Sequence, residues 1–351
     1  MELAPLRIGA VGCGYWGPNV IRNLAELPGF DLCCICDVDP RQLQPVAARH
    51  PQARTTQRVE DILDDPHIDA IYLATPVSTH YALTKLALLA GKHVLVEKPF
   101  ATTVEEAEEL ASLAAARART LMVGHTFVFS PPVRKIKQLI EERQIGPIYY
   151  IETTRVNLGL FQKDVSVLWD LGPHDVSILM YWLDEVPTIV SARGRSFHGD
   201  TLEDVAFLTL EFPSGILAQL QISWLAPSKL RRTTVIGRQR MVVYDDLEAV
   251  EKVKIYDRGV DRQPASFGEF QMTYRSGDIL SPRLDTTEPL RIECQHFLDS
   301  IRSGTEPDTG ARSGVDIVRV IQAAERSMHL GGAPQPVFSA STVPDQVRSS
   351  A

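Results

Sequence analysis

Residues 6–17, LRIGAVGCGYWG, restrict the fold more than any other stretch of the chain. An apolar run over 6–11 breaks at Gly12, Gly14 and Gly17. Val20, Ile21, Leu24 and Leu27 then recur at the spacing of one buried helix face. Strand, glycine turn and helix in that order are the setting in which G-x-G-x-x-G marks dinucleotide binding. Gly12 is expected to make the tight turn, Gly14 to let the backbone approach a pyrophosphate, and Gly17 to let the helix pack against the strand. The first N–H groups of the helix and the positive end of its dipole then face the phosphates. Taken alone, the pattern also fits any glycine-rich turn between a strand and a helix. A second feature strengthens it: the next strand, 32–36, ends in Asp37, twenty residues past Gly17. An acidic residue at that distance hydrogen-bonds the adenine ribose 2′-hydroxyl. A carboxylate there repels a 2′-phosphate, which favours NAD over NADP, although Arg41 lies close enough to weaken the preference.

The alternation continues with helices over 40–49, 59–64, 78–90 and 103–117 and strands over 69–75, 93–97 and 121–124. Thr103 with Glu106 three residues on reads as a capping box. Strands alternating with helices indicate a doubly wound parallel sheet, a first domain over 1–125. A helix then opens at Ser130-Pro131-Pro132 and stops at Gly146. Beyond it the texture changes to strand-like runs at 148–156, 188–195, 205–212, 216–224, 232–236 and 241–244. Short turns such as Pro213-Ser214-Gly215 join several of them, so the second domain, 126–330, is expected to be α+β. Its open, largely antiparallel sheet carries a helix over 172–183. Residues 257–284 read as irregular and polar, 288–302 and 314–329 as helices, and 331–351, rich in Ser and Pro, as a loose tail.

Composition narrows the class of partner. The 351 residues carry 36 basic and 44 acidic side chains, with no basic run and no interleaved basic-aromatic patch, so nucleic acid is not an expected partner. No apolar run approaches a membrane span. The first strand starts by residue 6, which leaves no room for a signal peptide. Cys13, Cys33, Cys34, Cys36 and Cys294 show no disulfide framework. The three crowded on one strand read as buried small residues, because no downstream Cys or His cluster completes a metal site. A metal-free protein of the cytoplasm is expected.

Three further segments carry chemistry. Thr75 and Pro76, with Thr79 and His80, follow the 69–75 strand, at the strand end where ligands bind in open α/β sheets. Thr79 also fits a helix N-cap, and His80 a surface position. Glu97-Lys98-Pro99 ends the 93–97 strand. A lysine there can stabilise alkoxide charge on a reacting oxygen, though read alone it is an ordinary surface lysine. Trp169-Asp170-Leu171-Gly172-Pro173-His174-Asp175 is the third. The four-residue spacing puts Asp170 and His174 on one face if the segment is helical. Gly172-Pro173 instead favours a helix starting between them, with Asp170 on the loop before it. Either arrangement sets a carboxylate beside an imidazole suited to proton transfer, and an isolated pair of this kind also serves structure.

Together, the Gly12-Cys13-Gly14-Tyr15-Trp16-Gly17 turn, Glu97-Lys98-Pro99 and the Asp170-x-Gly-x-His174 segment resemble the Gfo/Idh/MocA oxidoreductases, over residues 6 to about 329. The resemblance implies a Rossmann domain followed by an α+β domain for substrate and oligomerisation, giving a homodimer or homotetramer. It implies NAD held at Gly12, Gly14, Tyr15, Trp16, Gly17, Asp37, Thr75, Pro76, His80, Glu97 and Lys98. Lys98, Asp170 and His174 fall on the family's catalytic positions. His174 would take the hydroxyl proton as hydride leaves the carbinol carbon, Lys98 would hold the same oxygen, and Asp170 would position the sugar and the imidazole. One departure is His125-Thr126-Phe127, where many relatives carry Arg or Tyr, so substrate contacts there do not transfer.

The residues from Ser223 to Arg231, with Tyr244-Asp245-Asp246 and Tyr274-Arg275-Ser276-Gly277-Asp278-Ile279, resemble members of bacterial surface-sugar biosynthesis. Lys229, Arg231 and Arg232 can meet a diphosphate, or can simply charge an exposed strand edge against pairing. Arg155 and Asn157 either line the sugar pocket or face outward. The expected activity is therefore NAD-dependent dehydrogenation of a secondary hydroxyl on a sugar, nucleotide-linked by this reading. A free polyol such as inositol is the alternative within the class, and a catalytically silent NAD sensor the alternative outside it. The trio Lys98, Asp170 and His174 argues against a sensor. Glu97-Lys98-Pro99 followed by that trio's second half argues against a Rossmann dehydrogenase of amino-acid biosynthesis.

Overall fold

The structure is a computed structural model and describes residues 4–159, 161, 164–199, 202–265 and 269–338. It divides into two compact units: the chain up to Ser130 together with Thr287–Arg319, and Pro131–Thr286 together with the chain from Val320 onward.

The first unit begins with β1 (Leu6–Val11), α1 (Gly17–Glu26), β2 (Phe30–Cys36), α2 (Pro40–Ala47), β3 (Arg54–Thr56) and α3 (Glu60–Leu63). It continues with β4 (Ala70–Leu73), α4 (Val77–Leu89), β5 (His93–Glu97), α5 (Val104–Ala116) and β6 (Leu121–Gly124). The strands form one parallel sheet in the order β3-β2-β1-β4-β5-β6. Every residue of β4 and β6 is buried, as strands covered on both faces require. The strand order reverses between β1 and β4, the switch point at which such sheets bind ligands. The capping box of α5 is half formed. Thr103 accepts from the Glu106 N–H at 3.2 Å, but the Glu106 carboxylate reaches back to the Thr102 N–H at 3.3 Å. The five cysteines are free, all buried except the half-buried Cys33.

The second unit opens with α6 (Pro131–Glu141), β7 (Ile148–Leu158) and α7 (Val167–Leu183), followed by β8 (Ile189–Arg195), β9 (Val205–Glu211) and β10 (Leu217–Ser223). Then come β11 (Leu225–Gly237), β12 (Met241–Asp245), β13 (Val253–Ala265) and β14 (Glu269–Leu280). After α8 (Pro289–Ser303) and α9 (Ala311–His329), β15 (Gln335–Pro336) completes a nine-stranded sheet, β14-β13-β12-β11-β7-β10-β9-β8-β15. Only β7 and β10 run parallel; their neighbours pair antiparallel. The expected fold class, a parallel Rossmann sheet and a largely antiparallel second sheet, is the observed one.

Four features differ from the sequence reading. Residues 257–284 hold most of a long hairpin, with β13 and β14 paired from Ile255↔Leu280 to Ala265↔Glu269. Past Ile255 its described side chains are exposed or half-buried, so no inside-outside alternation marked the strands. The tail is fixed in part: Gln335 pairs with Val190, the Val337 N–H donates to Thr188 O at 3.0 Å, and Val337 and Phe338 are buried. Residues 339–351 of that tail lie outside the described residues. Residues 287–319 belong to the first unit, against the expected 126–330 domain. Arg22 grips Glu288 at 2.7 and 2.8 Å, Phe297 stacks near Phe30 with ring centroids 6.4 Å apart, and a Cβ on Gly29 would sit 2.2 Å from Leu298 Cδ2. Such contacts between distant segments leave no periodic trace. Finally, α7 starts at Val167, not beyond Gly172, and runs through Pro173. Val167, Leu168, Trp169, Leu171, Val176, Ile178, Leu179 and Trp182 are all buried, and that packing outweighs the one backbone bond a proline removes. Gly172 is a glycine for closeness: a Cβ there would lie 2.9 Å from Ile321 Cδ1.

Among the described residues no helix is long and apolar enough to cross a membrane.

Candidate active site

In the first unit the strands end on a cradle. Gly12 has φ +100°, and a Cβ on it would meet the Ala74 carbonyl oxygen at 2.4 Å, so only glycine fits. A Cβ on Gly17 would lie 2.0 Å from the Gly12 oxygen, which is how closely α1 approaches the turn. Gly14 differs: nothing lies within 4 Å of its would-be Cβ. Two glycines are there for close packing and one opens onto free space, the arrangement a pyrophosphate needs. The helix beyond them has no acidic residue in its first turn and no side-chain cap, so its N-terminal field is left for an anion. Gly12→Ala is therefore expected to weaken NAD binding at least about tenfold, roughly 1.4 kcal/mol. Gly17→Ala should do the same, measured by equilibrium binding of NAD.

Asp37 ends β2 half-buried, its Oδ2 accepting the Cys13 N–H at 2.6 Å and its Oδ1 the Asp39 N–H at 2.8 Å. The carboxylate is thereby fixed at the turn, with lone pairs left over for a ribose hydroxyl. Arg41 gives its guanidinium to Asp39 at 2.9 Å. Tyr15 is 86% exposed on the turn. Trp16 reaches across to donate its Nε1–H to Glu97 Oε1 at 2.9 Å, and Tyr72 donates its hydroxyl to the same oxygen at 2.9 Å. A Cβ on Gly124 would stand 3.0 Å from Glu97 Oε2. Burial pushes the enclosed Glu97 carboxyl up to about 7, against the hydrogen bond from Tyr72 and the charge of Lys98. Glu293 of α8, absent from the sequence reading, is buried beside it. It accepts the Thr126 hydroxyl at 2.9 Å, and burial and the Glu97 charge push its carboxyl well above the ordinary range.

These raised values give stability a definite sign. The folded chain holds protons on Glu97 between about 4.5 and about 7 that the unfolded chain has released. Its stabilisation is thus fully present below about 4.5 and is lost as pH rises through about 7. The urea midpoint of the wild type relative to that of Glu97→Gln should fall between about pH 5 and about pH 8, a comparison that cancels the opposite contribution of the buried His125.

Lys98 follows β5 directly and is half-buried. Its charge, after burial itself, helps push the enclosed His125 imidazole down to about 3. Thr75 and Pro76 follow β4, where Thr79 donates its hydroxyl to Thr75 Oγ1 or Pro76 O, each at 2.7 Å. His80 departs from the expected cofactor contact: it is 1% exposed, and its ring nitrogens lie 2.7 Å from the carbonyl oxygens of Thr75 and Pro99. It ties the ends of β4 and β5 together from within.

In the second unit α7 carries the other group. Over Val167–Leu179 every residue is buried except Asp170 and His174, one helical turn apart. Asp170 accepts the Trp224 Nε1–H at 3.1 Å on Oδ2, and Ser177 donates its hydroxyl to the His174 carbonyl at 2.8 Å. Asp175 turns inward and binds Arg155 bidentately, Nε at 3.0 Å and Nη2 at 2.8 Å, with side chains 3% and 5% exposed. Arg155 is thus a buried structural partner, not an open pocket residue, because β7 turns it toward α7. Arg231 lies opposite it in register and pairs with Asp246 at 3.4 Å. Burial works to raise the Asp246 carboxyl, but Lys252 and Arg231 bring it below the usual range. Lys229 is exposed on a bulge where β11 leaves its register between Leu225 and Leu230, opposite half-buried Asn157.

Residues 6–125 match the NAD-binding Rossmann fold of the Gfo/Idh/MocA oxidoreductases, and residues 133–243 match that family's C-terminal domain. The chain belongs to the Gfo/Idh/MocA oxidoreductase family. A solved chain from Magnetospirillum magnetotacticum MS-1 is 30% identical to this oxidoreductase, covering 91% of it and 99% of that chain with a TM-score of 0.78. UDP-N-acetylglucosamine 3-dehydrogenase of Acidithiobacillus ferrooxidans is 29% identical over 262 residues, 74% of this chain and 79% of that one. The NAD-dependent scyllo-inositol 2-dehydrogenase of Bacillus subtilis is 27% identical over 317 residues, 86% of this chain and 88% of that one. The first unit of this oxidoreductase is accordingly an NAD-binding domain, and the cradle of Gly12, Gly14 and Gly17 fits that cofactor.

Proposed function

We propose that this oxidoreductase carries out hydride transfer between nicotinamide and a secondary carbinol carbon of a nucleotide-linked sugar. The observation that carries the chemistry is the pair Asp170 and His174, the two residues of an otherwise buried helical stretch that reach solvent. NAD supplies the hydride acceptor when bound. His174 takes the hydroxyl proton as the carbonyl forms, and in the reverse direction returns it. Lys98 donates to the same oxygen and stabilises its developing charge. Asp170 fixes the imidazole and accepts from a neighbouring sugar hydroxyl. Gly12, Gly14, Gly17, Tyr15, Trp16, Asp37, Thr75 and Pro76 hold the cofactor, with Asp37 on the ribose. His80 and Glu97 act behind them by fixing the strand ends.

The nucleotide-linked reading draws on the UDP-N-acetylglucosamine relative and on Lys229 and Arg232, which are exposed on β11. Arg231, engaged with Asp246, is the weaker candidate for a diphosphate. Replacing Lys229 and Arg232 together with Ala should raise KM for a UDP-sugar about tenfold, roughly 1.4 kcal/mol, with KM for NAD unchanged. An unchanged KM for the sugar would favour a free polyol, the reading supported by the inositol relative. The protein works as a homo-oligomer of the cytoplasm. The uncovered face of its second sheet sets exposed Tyr150 beside exposed Leu217 in register, and light scattering tests the assembly.

A further inference from the structure

Trp224 follows β10 and is 2% exposed, and it stands behind the groups proposed to touch substrate. Its Nε1–H points at Asp170 Oδ2 from 3.1 Å. An indole donates and cannot accept. A hydroxyl or a water at this place could reverse its bond; the indole always offers a donor, and so holds one chosen carboxylate oxygen. The rest of the residue is clamped. Its N–H donates to Asp204 O at 3.0 Å, its carbonyl accepts the Gly159 N–H at 3.1 Å, and the Phe161 ring meets it edge-on with centroids 5.5 Å apart. Gly159 has no room for a side chain, because a Cβ there would sit 2.7 Å from Trp224 Cδ1. Asp204 is held in turn, its Oδ2 accepting the N–H groups of Phe197 and His198 at 2.8 and 2.9 Å. The ends of β7, β9 and β10 therefore meet at one residue, and its ring ends on one oxygen of Asp170.

We propose that Trp224 is a positioning residue for catalysis, fixing the Asp170 carboxylate so that its other oxygen is aimed for its task. This rests on the assignment of Asp170 above. Trp224→Phe keeps most of the packing and removes the donor; kcat should fall at least about tenfold, the scale on which a misplaced catalytic group costs rate, with KM for NAD unchanged. The decisive readout is coupling to Asp170. In an Asp170→Asn background, Trp224→Phe should cost nothing further. Replacing Trp224 with β-(3-benzothienyl)alanine, which swaps the N–H for sulfur at nearly constant shape, should reproduce the loss without lowering the melting temperature. Wild-type kcat in the benzothienyl protein would overturn the proposal. So would an equal further loss on adding Trp224→Phe to Asp170→Asn. A fully active Asp170→Asn enzyme would instead refute the role of Asp170 itself, a separate failure.

Discussion

His174→Asn should lower kcat by about 10²–10⁴-fold, the usual share of a general acid–base, while NAD binds as before. The asymmetry follows from the architecture. His174 lies on α7 in the second unit, whereas the glycine turn and Asp37, proposed to hold the cofactor, lie in the first. Asparagine keeps a polar side chain of similar reach but cannot take a proton at neutral pH. Lys98→Met should show the same pattern, a large loss in kcat with little change in cofactor affinity, since in the proposed reaction it removes a donor from the reacting oxygen and leaves the turn intact. Stopped-flow measurement of hydride transfer beside equilibrium NAD binding separates the two quantities. Equal losses in both would assign His174 or Lys98 to cofactor binding.

Asp175→Asn should destabilise the second unit by about 3–5 kcal/mol, because it removes the carboxylate that pairs bidentately with the buried Arg155 guanidinium. The two side chains are 3% and 5% exposed and joined by two hydrogen bonds, so water cannot replace the lost carboxylate cheaply. The pair itself need not be stabilising relative to an apolar one. Asp175→Leu combined with Arg155→Met should therefore recover most of the loss, and urea denaturation of the three proteins makes the comparison. A shift below about 0.5 kcal/mol in Asp175→Asn, the range of ordinary surface changes, would contradict a buried charge pair.

What could be read in advance was what local spacing encodes. Gly12 and Gly17 announced a turn, and the structure shows the backbone contacts that forbid a side chain there. Lys98 and Asp37 were placed by being the residues at strand ends. Contacts made across long chain separations were not readable. Trp224 meets Asp170 from 54 residues away, and Thr126 meets Glu293 from 167. Neither partner sits in a periodic pattern that names the other. Arg155 was readable as one face of a strand, but alternation does not say which face is covered, and α7 covers this one. The proline in α7 misled for a related reason: it disfavours a helix locally, and burial on nearly every side of that helix decides the matter. The hairpin of β13 and β14 carries no readable alternation, because its described side chains past Ile255 are exposed or half-buried on both faces.

The most direct test of the central claim mixes the purified protein and NAD with UDP- and dTDP-sugars, myo-inositol and free hexoses, and follows nicotinamide absorbance. The reverse reaction is run with NADH and the corresponding keto-sugars. Reduction of NAD with a nucleotide sugar, abolished in His174→Asn, is the expected result. Turnover of free polyols alone would contradict the nucleotide-linked reading, and silence in both directions, with NAD bound, would contradict the dehydrogenase.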